Sequence, residues 1–229
     1  MEVSENTYEP KLVCDKGNII LNSITDRESN QKCYNLKFDF NNLDPNKVNI
    51  KSLMGPNIYN LFEKISPELV EKIYILNIIN NNETDICILM KPIAKEIGIK
   101  PKYMMFRTSR QINYNANTIT FYNNDLSRMD YNLYEDYKKL IKLNTDIYDK
   151  MTFNYGKTQI KINNLNENEI YKVDSEENFT SILNINFSID FIITIKDPLP
   201  IYMENLIGLM LKKLFHNLKL FIENINKLV

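Results

Sequence analysis

The sequence predicts an α+β fold, and three observations support that prediction. Residues 187–195 alternate apolar and polar side chains, which is the two-residue period of a half-buried β-strand. Residues 201–228 carry apolar side chains every three or four positions, the period of an amphipathic helix, about 40 Å long at about 1.5 Å per residue. Residues 102–183 differ from the segments on either side, since they are rich in tyrosine and in short strand-like runs.

The elements of the N-terminal half follow from the same periods. Residues 34–40 alternate as a half-buried strand does. A short helical pattern over 56–66 begins and ends at a proline-containing pair, and a strand is predicted over 71–79. Residues 86–97 are apolar and are followed by Gly98, which predicts a helix ending at a glycine cap.

The C-terminal half begins after Pro101. Strand-like runs at 118–122 and 159–162 flank a helical stretch over 131–143. The Asp-Pro-Leu-Pro sequence at 197–200 ends the last strand and starts the long helix, because proline lacks a backbone donor yet fits the first helical turn.

These elements divide the chain into two predicted subdomains and an extension. Residues 32–101 and 184–229 form one discontinuous subdomain, because the composition changes near residue 101 and strong patterning returns near residue 186. Residues 102–183 form an inserted α+β subdomain. Residues 1–31, which are mostly polar, form an N-terminal extension with one apolar patch that favours a strand.

The long C-terminal helix has more apolar surface than one sheet needs. Left uncovered, the excess would be roughly several hundred Å², more than a monomer usually exposes. We therefore expect the helix to be a dimerisation element. The residues expected at that partner interface are Met203, Leu206, Ile207, Met210, Leu214, Phe215, Leu218 and Phe221.

Composition and charge narrow the function classes. The net charge is −1, so bulk charge indicates neither nucleic acid nor an anionic membrane as a partner. Three cysteines without a C-x-x-C pair predict no disulfide framework and no zinc site. No apolar run reaches the roughly 18 residues of a membrane span. We expect a soluble intracellular protein, cytoplasmic or nuclear, and the Asn, Ile and Lys bias fits an AT-rich genome, including that of a large DNA virus.

Candidate catalytic and binding residues each have a simpler interpretation. Gly156 to Thr158 resembles the end of a phosphate-binding loop but lacks the first glycine of that motif. His216 is the sole histidine and is predicted on the polar face of a helix, while Cys87 is predicted to be a buried thiol. The basic and aromatic residues of 100–114 could track a phosphate backbone, but they are interpreted as a solvated strand face or a contact to an acidic partner. Acids near a helix start are interpreted as turn and N-cap residues, and these are Asp125, Asp130, Glu135 and Asp136.

Four stretches in order resemble a known family. Residues 57–67 carry Asn-Ile-Tyr-Asn and a following Ser-Pro, residues 92–101 read PIAKEIGIKP, residues 120–126 read TFYNNDL, and residues 187–221 hold the last strand and helix. Together they resemble the α-like subunits of multi-subunit DNA-directed RNA polymerases. This family includes the bacterial α N-terminal domain, its archaeal counterpart and the third-largest subunit of eukaryotic polymerase II.

The resemblance implies an RNA polymerase α-like dimerisation subdomain with an inserted α+β subdomain. Its implied function is that of a non-catalytic assembly platform in transcription, dimerising with a smaller α-like subunit or with itself. Asn57, Tyr59 and Asn60 would contact the large subunits, and DNA would be contacted only indirectly. No cofactor, metal or membrane is implied, because the inserted stretch lacks the cysteines that some relatives use for zinc or an iron–sulfur cluster.

Two alternatives to the polymerase interpretation stay open at the level of sequence. The first is an unrelated homodimeric interaction or structural protein that uses the same C-terminal helix. The second is an enzyme, which has the least support because no nucleophile–base pair or ligand cluster is visible in the sequence.

Overall fold

The computed structural model describes residues 10–25, 32–92, 98–166, 169–195 and 205–227. The strands are β1 (Lys11–Lys16), β2 (Ile19–Thr25), β3 (Lys32–Leu43), β4 (Val70–Asn80), β5 (Glu83–Met90), β6 (Lys102–Asn113), β7 (Thr118–Asp125), β8 (Asp149–Ile162) and β9 (Leu183–Ile195). The helices are α1 (Ile50–Leu53), α2 (Ile58–Ile65), α3 (Leu126–Met129), α4 (Tyr131–Leu140) and α5 (Leu206–Lys227), with a 3-10 helix at Glu169–Val173.

The described strands form one nine-stranded sheet in the order β1-β2-β3-β9-β8-β7-β6-β5-β4. Each strand in that order pairs antiparallel with its neighbours, and a short parallel pairing joins β6 to β8 at Lys102 and Asp149. The β1–β2 hairpin turns at Gly17 and Asn18, both with positive φ, as a two-residue turn between right-twisted strands requires. Most neighbouring strands are consecutive in sequence, but β3 pairs with β9, which is far away in sequence.

Alternation along the strands gives the sheet an apolar inner face. In the β3–β9 pair, Leu36 lies opposite Ile189 and Phe38 lies opposite Phe187, and all four side chains are buried. The rings of Phe38 and Phe187 stack with centroids 4.8 Å apart. These cross-strand contacts belong to the main hydrophobic core, which continues across β5 to β8.

Helix α5 packs on the inner face of the sheet. Leu214 and Leu218 are buried there, with 6% and 0% of their surfaces exposed. Two lysines on α5 are also buried, and their ammonium groups donate hydrogen bonds to backbone carbonyls: Lys212 to Lys16 at 2.9 Å, and Lys219 to Asp39. These bonds join α5 to the β1–β2 turn and to β3, because a buried ammonium group must find an acceptor.

The outer face of β5 and β6 is covered by α3 and α4, which form a smaller core around Cys87, Met105 and Tyr134. Asp85, fully buried beside this core, accepts hydrogen bonds from Nε and Nη2 of Arg107 at 2.7 and 2.9 Å and from the hydroxyl of Tyr137 at 3.0 Å. Hydrogen bonding to Asp85 raises the pKa of Arg107. The buried carboxylate is therefore fully paired.

The predicted fold class is wrong, because the described chain is one large antiparallel sheet with a C-terminal helix. Strands β6, β7 and β8 of segment 102–183 lie between β5 and β9 in that sheet and share its core, so they do not form an inserted α+β lobe. The boundaries at 32–101, 102–183 and 184–229 coincide with strand ends, and β1 and β2 lie within the 1–31 extension. The division of the chain at these boundaries stays a prediction.

The helix predicted over 86–97 is also wrong in its described part, since residues 86–90 belong to β5. A short apolar run fits a buried strand as well as a helix, and tertiary pairing decides between them. Residues 93–97 lie outside the described residues.

Candidate functional site

A cavity lies in the main core, between the inner face of the sheet and helices α2 and α5. Its volume is about 80 Å³ and its wall is almost entirely apolar. The wall residues come from α1, α2, α5 and six strands, and they include Leu53, Ile58, Tyr59, Phe62, Val70, Ile88, Met90, Met104, Phe106, Phe121, Asn123, Phe153, Gly156, Lys157, Thr158, Ile160, Phe187, Ile189, Asp190, Phe191, Leu211, Leu214 and Phe215.

Helix α2 covers one side of the cavity. Its residues Ile58, Tyr59 and Phe62 line the wall at spacings of one and three residues, so one helical face supplies all three. The helix is tied to β4 by Glu63, whose carboxylate accepts from the backbone N–H of Ile73 at 2.9 Å. That hydrogen bond lowers the pKa of Glu63.

The opposite wall is the sheet, and its shape depends on one glycine. At Gly156 a Cβ atom would lie 2.5 Å from the ring of Phe153, so only glycine lets that ring fold back over its own strand. Phe153 then contacts Phe106 with ring centroids 5.4 Å apart. Phe153 faces inward opposite Ile193, and the bulge between Phe153 and Tyr155 shifts the register so that Gly156 also faces inward, opposite Phe191.

A small polar group of side chains interrupts the apolar wall. The hydroxyl of Tyr59 donates to Oδ1 of Asn123 at 3.3 Å. Burial raises the pKa of Tyr59 to about 12, against the opposing influence of the nearby Thr108 and Asn123 side chains, so this hydroxyl keeps its proton at neutral pH. Thr108 lies opposite Asn123 on β6, and Thr84 lies opposite Thr108 on β5, which extends the polar row across three strands.

The charged residues of the wall point away from the cavity. Lys157 and Asp190 lie opposite one another on β8 and β9, between positions whose side chains face inward, so their own side chains emerge on the outer face. The carboxylate of Asp190 accepts a hydrogen bond from Asn35 at 2.5 Å. They contribute backbone, not charge, to the cavity.

Comparison with solved structures identifies proteins that share this architecture. The chain matches the human StarD13 (DLC2) lipid transfer and protein localization domain with a TM-score of 0.63 and 8% identity, covering 97% of this chain and 91% of that one. It matches human StAR-related lipid transfer protein 5 with a TM-score of 0.65 and 9% identity, covering 97% and 90%. The chain has the START/Bet v1-like fold. A STAR-related lipid transfer protein fragment from Xanthomonas axonopodis matches with a TM-score of 0.55 and 10% identity, covering 95% and 99%.

At these identities the likeness concerns the START/Bet v1-like fold alone. No protein-family model matches the sequence, and no curated protein matches it. The polymerase resemblance is wrong, and with it the assembly function, the transcription assignment and the polymerase partners, because the structural neighbours are lipid-transfer domains. Of the four quoted stretches, 57–67 contains α2, 120–126 contains the end of β7, and 187–221 contains most of β9 and part of α5; β7 and β9 belong to the one nine-stranded sheet.

The residues predicted to contact a partner chain are mostly part of this chain's own core. Ile207, Met210, Leu214 and Leu218 are buried, Leu206 and Phe215 are half-buried, Phe221 is exposed, and Met203 lies outside the described residues. The START/Bet v1-like fold thus uses the helix to cover its sheet. Contact of any of these eight residues with a second chain stays a prediction.

The other predicted site residues fall in different places. Tyr59 lines the cavity, whereas Asn57 and Asn60 are exposed on α2, so no large-subunit contact follows from them. Gly156 to Thr158 lie within β8 and not in a loop at a helix start. Asp125 and Asp130 cap α3 and α4 through the backbone N–H groups of Ser127 and Leu133, which confirms their interpretation as N-caps. The described residues hold no cluster of three metal-ligating side chains.

His216 and Cys87 are partly as predicted. Cys87 is fully buried, and burial raises the pKa of its thiol to about 12, but it lies on β5 and not on a helix. His216 is half-buried and its ring lies against Gly17, so the solvated surface position predicted for it is wrong. Among the helices of the described ranges, none is both long enough and apolar enough to cross a membrane.

The cavity itself was missed by sequence reasoning. Alternation along β7 carried a signal, since Ile119 and Phe121 predict an inward-facing position at Asn123 as well. A polar residue at an inward position indicates either a buried hydrogen bond or a binding site. Only the pairing of β7 with β6 and β8 shows which groups surround Asn123.

Proposed function

We propose that this chain binds an apolar small molecule, a lipid, in the cavity between the sheet, α2 and α5. The observation that supports this most directly is an almost fully apolar cavity within the main hydrophobic core. An unfilled apolar space forfeits dispersion contacts along its wall, so an apolar ligand that fills it gains them.

The fold neighbours support a lipid as the ligand class. The three matched structures are named for lipid transfer or StAR-related lipid transfer. Identities of 8 to 10% carry the fold and not the binding residues, so no residue of those proteins is assigned a counterpart in this cavity. The chemistry of this wall is the independent support.

The size of the cavity sets a condition on binding. At about 80 Å³ it is smaller than the roughly 300–1,000 Å³ of ligand pockets in general. A lipid enters only if wall side chains move. Tyr59, Phe153 and Phe215 are half-buried aromatic residues of the wall, and rotation of one ring would enlarge the space at lower cost than movement of the sheet.

The side chains around the cavity favour binding over catalysis. Its polar side chains are the hydroxyls of Tyr59 and Thr158 and the amide of Asn123. General base catalysis needs a group that loses its proton near neutral pH, and the pKa of Tyr59 is raised away from that range. The protein is therefore proposed to have no reaction of its own.

Filling the cavity tests the proposal. Ile189 lies on the cavity wall, and Ile192 lies on the same strand with its side chain on the outer face. We expect N-phenylnaphthylamine, a neutral probe that fluoresces in apolar surroundings, to bind the wild type saturably. Ile189→Phe should weaken that binding about tenfold or more, because overpacking of about 1–3 kcal/mol opposes the ligand directly.

Ile192→Phe is the matched control, since it adds the same ring outside the cavity and should leave probe binding unchanged. Circular dichroism on both variants checks that each is folded. The proposal is wrong if the wild type shows no saturable binding, or if the two variants weaken the probe equally.

A further inference from the structure

The polar row on the inner face contains more hydrogen-bonding groups than the protein itself satisfies. Thr84 and Thr108 are each 1% exposed. The Thr84 hydroxyl has no hydrogen-bond partner among the described residues, and the Thr108 hydroxyl has only the nearby hydroxyl of Tyr59, which already donates to Asn123. Buried hydroxyls in native proteins are nearly always partnered. The row next to the cavity wall therefore has hydrogen-bonding capacity that the chain itself does not fill.

Asn123 connects this row to the cavity. It lies opposite Thr108 in the β6–β7 pair, where facing side chains are about 5 Å apart, and it lines the cavity wall. Its Oδ1 accepts from Tyr59, and no other hydrogen bond of its side chain occurs within the described ranges. Its amide nitrogen is thus a free donor at the cavity wall.

We propose that the ligand is a neutral lipid whose hydroxyl or carbonyl oxygen accepts a hydrogen bond from the Asn123 amide at this end of the cavity, while Tyr59 holds that amide in place by donating to its Oδ1. The inference rests on the proposed function and adds the class of head group. A carbonyl oxygen and a hydroxyl oxygen both accept from the Asn123 amide, and a hydroxyl also has a proton to donate to Thr108, which lies opposite Asn123.

A charged head group is opposed by the surroundings of the row. The nearest inner-face cation is Arg110, whose guanidinium is bonded to Asp174 and, through Nη2, to Asn82 at 3.1 Å. Arg110 is not part of the cavity wall, and the wall's own charged residues, Lys157 and Asp190, face outward. A carboxylate or ammonium buried beside Asn123 would have no counter-ion, and such burial is costly.

Three matched probes test the head group: n-octanol, octanoate and octylammonium, each displacing N-phenylnaphthylamine from the wild-type protein. At a pH of about 8 the carboxylate and the ammonium are both charged, while Tyr59 stays protonated because its pKa is raised to about 12. We expect n-octanol to displace the probe at a concentration at least about tenfold lower than either ion does.

Two variants test whether the preference for n-octanol depends on Tyr59 and Asn123. Tyr59→Phe and Asn123→Leu should each weaken n-octanol about 3- to 10-fold more than they weaken N-phenylnaphthylamine on the same variant, the usual effect of one hydrogen bond. The controls are Tyr122→Phe and Asn124→Leu, which remove the same groups from a half-buried and an exposed position elsewhere on β7. The controls should bind n-octanol as the wild type does.

The outcomes separate this inference from the proposed function. If N-phenylnaphthylamine binds but octanoate or octylammonium displaces it as well as n-octanol does, the neutral head group is wrong and lipid binding stands. The same holds if Tyr59→Phe and Asn123→Leu bind n-octanol no differently from their controls. If the wild type binds none of the four compounds, both proposals are wrong.

Discussion

Replacing Leu218 by alanine is expected to lower the free energy of unfolding strongly, because Leu218 belongs to the chain's own core. Its side chain is fully buried between α5 and the sheet. Truncation of such a leucine costs the transfer free energy of the lost methyl groups and leaves a cavity, together about 3 kcal/mol. For a chain of this size that lowers the melting temperature by roughly 10 °C.

Leu220 provides the matched control two positions along the same helix. It is 45% exposed, so Leu220→Ala should change the free energy of unfolding by under about 1 kcal/mol. Both substitutions change helix propensity equally, and the difference between them therefore reports burial alone. Urea and thermal unfolding followed by far-ultraviolet circular dichroism measure it.

Protein concentration distinguishes this explanation from a helix that packs on a second chain. If α5 covers its own sheet, the loss in Leu218→Ala is the same at every protein concentration. If Leu218 lies in an intermolecular interface, the melting temperature rises with concentration, because association stabilises by mass action. Equal effects of Leu218→Ala and Leu220→Ala, or a loss that disappears on concentrating the protein, would refute the reasoning.

Two further predictions concern alkaline stability and backbone strain. The folded-state pKa of Tyr59 is raised to about 12 from an unfolded value of about 10, so its stabilising contribution is complete below about pH 10 and is lost as the pH rises through about 12. Urea unfolding across that window should therefore show wild type losing up to about 2 kcal/mol more than Tyr59→Phe, and parallel curves would contradict the assigned burial. Gly17→Ala should cost about 2 kcal/mol, because φ is +67° and the new Cβ would lie 2.7 Å from the His216 ring. Gly98→Ala, with φ of +78° and no atom of the described residues within 4 Å of the new Cβ, should cost about 1 kcal/mol in the same denaturation assay, and a cost as large as that of Gly17→Ala would contradict the His216 contact.

Several elements were correctly predicted because their periods are strong. The alternation over 34–40 and 187–195 became β3 and β9, and the pattern over 201–228 became α5 in its described part. The helices predicted over 56–66 and 131–143 correspond to α2 and α4.

The side of α5 that faces the protein was only partly predictable. His216 was predicted on the polar face of the helix but packs on Gly17, and two polar residues of the same helix, Lys212 and Lys219, are buried. A lysine can bury its methylene chain and still satisfy its ammonium group at a carbonyl. Such an acceptor comes from β1 and β3, which no helical period can reveal.

The sequence by itself determined the strongly periodic elements, β3, β9, α2, α4 and α5, because their periods depend on neighbours two to four residues apart. Only the tertiary structure decided that β6, β7 and β8 join one sheet with β3 and β9, and that residues 86–90 form a strand within it. The cavity, too, is decided by the tertiary structure. Tyr59, Asn123 and Ile189 come together from α2, β7 and β9, and the space between them is set by long-range pairing and packing that local periodicity does not encode.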